Sequence, residues 1–279
     1  MEKSKNKGFA KMRRNKKSRV ETKASFVKSS DRPKTSFSKP RKPETKPEWP
    51  MRINKYLAHQ KLCTRKEADK LVEKGLVFIN GKIAVLGDKV VKDDKVTISP
   101  KRQIKKYIYI AYNKPEGIAT LKSTPTERDI KDELKLTKDI FPIGRLDKNS
   151  SGLIILTNDG RATDALLNPI KKHDKEYAVT CNRTVPDEAI KKMSKGMKIE
   201  RERTRPAVVT KTNDKEFTII LTEGKKHQVR RMAVACSLEV TKLVRTRIMN
   251  IKLGNLPKGE TRTLGGDELK TFLTDLQLI

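Results

Sequence analysis

The chain has 279 residues and a formal net charge of +31, from 65 Lys and Arg against 34 Asp and Glu. Its hydrophobic share of 35% and charged share of 35% sit below and above the about 45–50% and ~25% of a packed globular chain, so part of the sequence stays outside any core. No apolar run approaches the ~18 residues of a membrane span, no apolar signal-peptide core opens the chain, and Cys63, Cys181 and Cys236 are too scattered for a disulfide framework or a metal knuckle.

Residues 1–48 carry 17 Lys and Arg against 5 Asp and Glu, with few apolar residues and many Ser, Thr and Pro. Such a segment buries too little surface to offset its chain entropy and is expected to be a disordered basic arm. It serves either as a phosphate-binding arm or as a solubilising tail. The other 231 residues still hold a net +19, so binding to a polyanion does not depend on the arm. In a cytoplasmic chain that polyanion is a nucleic acid. An acidic membrane surface is the weaker partner, because no basic amphipathic helix of sufficient length is present.

Residues 49–100 read as a small independent unit. Ile53, Leu57 and Ala58 mark a first short amphipathic helix from Arg52. Thr64 with Glu67 three residues on has the pattern of a capping box opening a second helix, which buries Ala68, Leu71 and Val72 and ends at Gly75. Val77 and Ile79 lead into Asn80-Gly81, a two-residue hairpin signal. Val90, Val91, Val96 and Ile98 are expected to complete the small sheet. Arg52, Lys55, Arg65, Lys66 and Lys70 remain on exposed faces. With helix, cap, turn and basic positions recurring together, the stretch MRINKYLAHQKLCTRKEADKLVEKGLVFINGKIA resembles the S4 domain, which implies that those five residues meet structured RNA.

From residue 105 to 275 the composition is that of a folded mixed domain. Strand patterns cover Tyr107–Tyr112, Leu153–Thr157, Tyr177–Thr180, Ala207–Thr212 and Phe217–Thr222; helical patterns cover Arg161–Leu167, Asp187–Lys195 and His227–Ser237. Strands outnumber helices in irregular order, which predicts an α+β fold with a mainly antiparallel sheet. The stretch PIGRLDKNSSGLIILTNDG places Asp147 on a loop between apolar segments, beside Arg145 and Lys148. A carboxylate flanked by cations stays ionised, as a nucleophile, a base or a structural ion-pair partner; spacing alone favours the ion pair.

G-R-L-D followed by S-x-G-L-I-I-L-T-N-D-G resembles the signature of pseudouridine synthases, in the branch that modifies bacterial ribosomal RNA and carries an N-terminal S4 domain. Asn113-Lys114-Pro115-Glu116-Gly117 upstream, and Lys175-Glu176-Tyr177, EGKKHQVRRM and LVRTRIMNIKLGNLPKGETRTL downstream, occur in the family's order. The RTRIMNI stretch leans toward the F type, which acts on 23S rRNA, with the B, E and small-subunit types as near neighbours. The resemblance implies that Asp147 is the catalytic aspartate, that Tyr177 stacks on the target base, and that Arg230 pairs with Asp147 while Arg231 faces phosphate. It implies that Arg145 helps to draw the nucleotide out of its helix, that Leu243 lines the base pocket, and that Lys114 shapes the cleft floor.

No phosphate-cradling glycine motif occurs, His59, His173 and His227 offer no metal set, and Gly265-Gly266 reads as a turn. Neither cofactor nor metal is expected. The partner is ribosomal RNA or a ribosome assembly intermediate, the location cytoplasmic, and the protein a monomer. The alternatives are a 16S rRNA target and a non-catalytic assembly factor that keeps the fold.

Overall fold

The computed structural model describes residues 48–100, 106–137 and 139–279. The basic arm expected over residues 1–48 lies outside the described residues apart from its last position. The first unit comprises β1 (Met51–Arg52), α1 (Ile53–His59), α2 (Arg65–Glu73), β2 (Val77–Ile79), β3 (Lys82–Ile83), β4 (Lys89–Val90) and β5 (Val96–Ile98). The Thr64 side chain accepts from the Glu67 amide at 3.2 Å while Glu67 accepts from the Thr64 amide at 2.9 Å, so the capping box forms as read. Asn80 and Gly81 both take positive φ, as the tight hairpin requires. One element differs from expectation: Val90 pairs with Met51, outside the three-stranded β3-β2-β5 sheet. The chain entering the first helix takes the pairing edge of β4, which forms a separate two-stranded ladder with it.

The larger unit runs through β6 (Tyr109–Lys114), α3 (Ile130–Glu133), β7 (Phe141–Ile143), β8 (Ser151–Thr157), α4 (Gly160–Leu167), β9 (Lys175–Cys181) and α5 (Asp187–Ser194). It continues with β10 (Lys198–Ile199), β11 (Glu202–Arg203), β12 (Val208–Asn213), β13 (Glu216–Leu221), α6 (Gln228–Val234), β14 (Val240–Ile248), β15 (Ile251–Lys252), β16 (Thr261–Thr263) and α7 (Gly266–Asp275). Gly265-Gly266 therefore opens the last helix rather than forming an isolated turn. The main sheet has the order β12-β13-β9-β14-β8-β6-β16, with β15 beside β14 and β7 beside β8. Its pairings are antiparallel except for β14 with β8, which matches the α+β expectation.

β8 is the buried centre of this sheet. Leu153 and Ile155 enter a core with Tyr109, Ala162, Leu166 and Phe272, while Ile154 and Leu156 enter a second core with Tyr112 and Ile130. Alternating side chains thus fill both faces, which is why the strand reads as an uninterrupted apolar run. Each of the four contributes about 1.5–3 kcal/mol by burial. A third core, between the β13-β9-β14 half of the sheet and α5 with α6, holds Val179, Ile219, Val229, Met232 and Leu243.

Among the described residues the two units meet around Arg161 and Lys61. Asp159 caps α4, is fully buried, accepts from the Tyr109 hydroxyl at 2.6 Å and holds Arg161 through Nε and Nη2. Arg161 lies over the Tyr107 ring and donates to Lys61 O at 3.3 Å, while Lys61 Nζ reaches Gln277. A Cβ on Gly160 would stand 2.3 Å from Thr64 Cγ2. Among the described residues no helix is long and apolar enough to cross a membrane.

Candidate active site

Four strands align one residue each into a row across the sheet: Lys114 on β6, Gly152 on β8, Arg245 on β14 and Tyr177 on β9. Directly paired residues share a face, so this row carries two cations and an aromatic ring on either side of a gap at Gly152. Gly152 has φ +104, and a Cβ there would meet Arg245 O at 2.4 Å and Arg245 N at 2.6 Å. The motif glycine is therefore what lets β8 and β14 lie in parallel contact. β14 is bulged between Arg245 and Arg247, an irregularity that re-aims side chains beside the row.

Asp147 stands on the loop that joins β7 to β8, above this row. Five consecutive carbonyls of the loop are held. Arg145 O accepts from Arg245 Nη1 at 3.4 Å, Leu146 O from Thr120 Oγ1 at 2.7 Å, and Asp147 O from the Ser150 amide at 3.0 Å. Lys148 O accepts from the Gly117 amide at 2.9 Å and Lys114 Nζ at 3.4 Å, and Asn149 O from Arg230 Nη2 at 2.6 Å. Thr120 Oγ1 also accepts from the Leu146 amide at 2.9 Å. A backbone bound on both sides fixes the carboxylate without using the carboxylate itself. That side chain stays 37% exposed, open to a substrate.

Arg230 does not pair with Asp147 in this structure. Its two terminal nitrogens are taken by Asn149 O and Val240 O, because α6 presents the guanidinium to the end of the loop rather than to its tip. The side chain that stands at the carboxylate is His227, with Nδ1 3.3 Å from Asp147 Oδ2. His227 precedes α6 in a left-handed conformation, φ 50, a conformation uncommon for a non-glycine residue and frequent at functional sites. Its place before Gln228 in the H-Q-V-R run was the only sequence signal for it. Arg231 is likewise not turned to phosphate: it pairs with Glu200 and Glu202.

Arg145 is exposed beside Asp147, and Tyr177 is half-buried against the α6-side core. Leu243 is 5% exposed inside that core, paired with Val179, so it is not brought into the open cleft. Two further cations were missed because each lies within a strand: Arg245, 3% exposed, and Lys175, whose burial beside Arg245 lowers its pKa to about 8. On the small unit Arg52, Arg65, Lys66 and Lys70 are exposed and Lys55 is half-buried. Among the described residues no group of three or more His, Cys, Asp or Glu is arranged to hold a metal ion.

Lys114 is fully buried and donates to Pro115 O and Ile118 O at 2.7 Å each, besides its longer reach to Lys148 O. Burial lowers its pKa to about 8, against the pull of Glu116 and Asp147, with Arg245 adding to the fall. The folded value lies below the unfolded one near 10.5, so the folded chain releases this proton first. Stability linked to Lys114 therefore rises between pH 8 and 10.5, while the charged clamp on the loop is lost over the same range. The single-turnover rate is expected to fall as pH passes 8, and Lys114→Met to remove that inflection although Lys175 remains. An unchanged inflection in the Met variant would assign the titration elsewhere.

The chain is similar to known proteins in both of its units. A model described as S4 domain matches residues 51–96, and one described as RNA pseudouridylate synthase matches residues 108–235. The chain is 43% identical over 222 residues to the dual-specificity RNA pseudouridine synthase RluF of Salmonella typhi, covering 78% of this chain and 77% of that protein. It is 32% identical over 229 residues to the ribosomal large subunit pseudouridine synthase B of Bacillus subtilis, covering 78% and 94%. A solved structure described as a pseudouridylate synthase superposes with a TM-score of 0.59 at 28% identity, covering 80% of this chain and 99% of that one.

Proposed function

The chain belongs to the RNA pseudouridylate synthase family, and from that premise we propose that it isomerises a uridine of 23S ribosomal RNA with Asp147 as the catalytic carboxylate. The observation that carries the assignment is the loop whose carbonyls from Arg145 to Asn149 are all held while the Asp147 side chain is left open. Preorganisation of this kind is what a reacting carboxylate needs, since a displacement of about 1 Å can cost ~100-fold in rate. A structural ion pair would have no use for it.

The reaction breaks the N1–C1′ bond of uridine and forms C1′–C5. One proton leaves C5 and N1 gains one, so atoms and electrons balance without an oxidant or reductant. The uridine must first leave its stack, at a cost of a few kcal/mol. In this reading Arg145, exposed beside Asp147, steadies the vacated position. Tyr177 offers a flat face to the base, and Leu243 supports that ring through the core they share. Lys114 and Arg230 act on the loop rather than on the substrate. Arg52, Lys55, Arg65, Lys66 and Lys70 hold the RNA at a distance from the chemistry. The protein works as a monomer in the cytoplasm, on ribosomal RNA or an assembly intermediate.

Mapping pseudouridines in rRNA from cells with and without the gene tests this directly. One 23S position is expected to disappear with the gene and to return when purified protein is added to the deficient rRNA. Loss confined to 16S rRNA would move the target; an unchanged map would remove the proposal.

A further inference from the structure

Arg245 poses a problem that the reaction outlined above does not solve. It lies under the Asp147 loop, 3% exposed, with Nε donating to Leu153 O at 2.6 Å and Nη1 to Arg145 O at 3.4 Å. Nη2 is buried and has no hydrogen-bond partner among the described residues. A guanidinium cannot shed its charge, and an unmet charged donor in the interior is costly. An apolar side chain of similar length would fill the same space without that cost.

What distinguishes Arg245 is the pair of atoms it connects. Leu153 is fixed in the central strand, whereas Arg145 is two residues before Asp147 on the loop, and Gly152 lets the Arg245 backbone lie close against β8. The other loop contacts come from separate elements: Lys114 and Gly117 on one side, Thr120 beside them, and Arg230 from α6. Arg245 alone among these ties the loop directly to the strand that follows it. Its contact to Arg145 O is long, and a second N–H is unspent next to it.

We propose that Arg245 is a positioning residue for Asp147, a rigid fork that sets the height of loop 144–150 above β8 and whose unpaired Nη2 is taken up by a loop or nucleotide oxygen when the flipped uridine settles. The proposal rests on Asp147 being the reacting carboxylate. It makes the closed position of the loop, not the affinity for RNA, the property that depends on Arg245.

The test uses the full chain with rRNA from cells lacking the gene as the probe. Arg245→Lys keeps the charge but cannot span Leu153 O and Arg145 O together; Arg245→Met removes both donors. Both variants are expected to bind RNA within about twofold of wild type, with single-turnover rates at saturating RNA reduced about 100-fold. Amide exchange in the Lys variant should quicken at Leu146 and Ser150, whose amides are bonded in the loop, but not along β14. An unchanged rate, a rate loss that tracks the folded fraction, or a failure of both variants to fold would each overturn the proposal. Failure of the underlying reading is separable: it would appear as activity in an Asp147→Asn protein, whatever Arg245 does.

Discussion

Asp147→Asn should leave RNA affinity within about twofold of wild type and remove pseudouridine formation. Asn has the same shape, so it fits the space beside His227 without moving the loop. None of the bonds that hold the five loop carbonyls uses the Asp147 side chain. Only the negative charge and the basicity of the carboxylate are lost. For a residue that acts directly on the substrate, the expected drop in single-turnover rate is about four orders of magnitude or more. Measuring binding and rate on the same RNA separates this from a folding defect. A variant that keeps a hundredth of the wild-type rate would not be missing its reacting group.

Gly152→Ala should be among the most damaging single-methyl changes in the molecule. The added Cβ would meet backbone atoms of Arg245 at 2.4 and 2.6 Å, and backbone in a central strand cannot rotate away as a side chain can. The residue would also have to hold φ +104. Left-handed strain and overpacking together cost about 3 kcal/mol or more. In a domain of this size that lowers Tm by roughly 6–12 °C. Gly224→Ala, at a site with open space around it, serves as the control and should change stability by no more than about 0.5 kcal/mol. Equal Tm values for the two variants would show that β8 and β14 can separate without penalty.

The S4 unit and the β8 region were legible because local rules and tertiary structure agree there. Thr64 and Glu67 cap what they precede, Asn80-Gly81 turns where it should, and Leu153 to Leu156 are apolar because both faces are covered. β14 was not read as a strand although it is central to the sheet. Its register slips between Val240 and Lys242 and again between Arg245 and Arg247, so its side chains do not alternate with the period of two that marks a strand. The partners of Asp147 were misread for a different reason. Which of several basic residues in one motif faces a carboxylate depends on where a helix begins, and His227 sets that start from a left-handed backbone. Arg245 opens the RTRIMNI stretch, but nothing in that stretch marks it as buried: a cation in a strand interior is recognised only once its neighbours across the sheet are known.

The contact of Thr64 with Gly160, braced by Arg161 and Lys61, changes how the two RNA-facing units add their affinities. Two modules on a loose tether strengthen each other on any RNA that offers both sites within reach. Two modules held at a fixed separation gain avidity only on an RNA whose own shape places both sites at the matching separation, and gain almost nothing elsewhere. The basic surface then discriminates as well as attracts, because most RNAs can satisfy one half of it but not both.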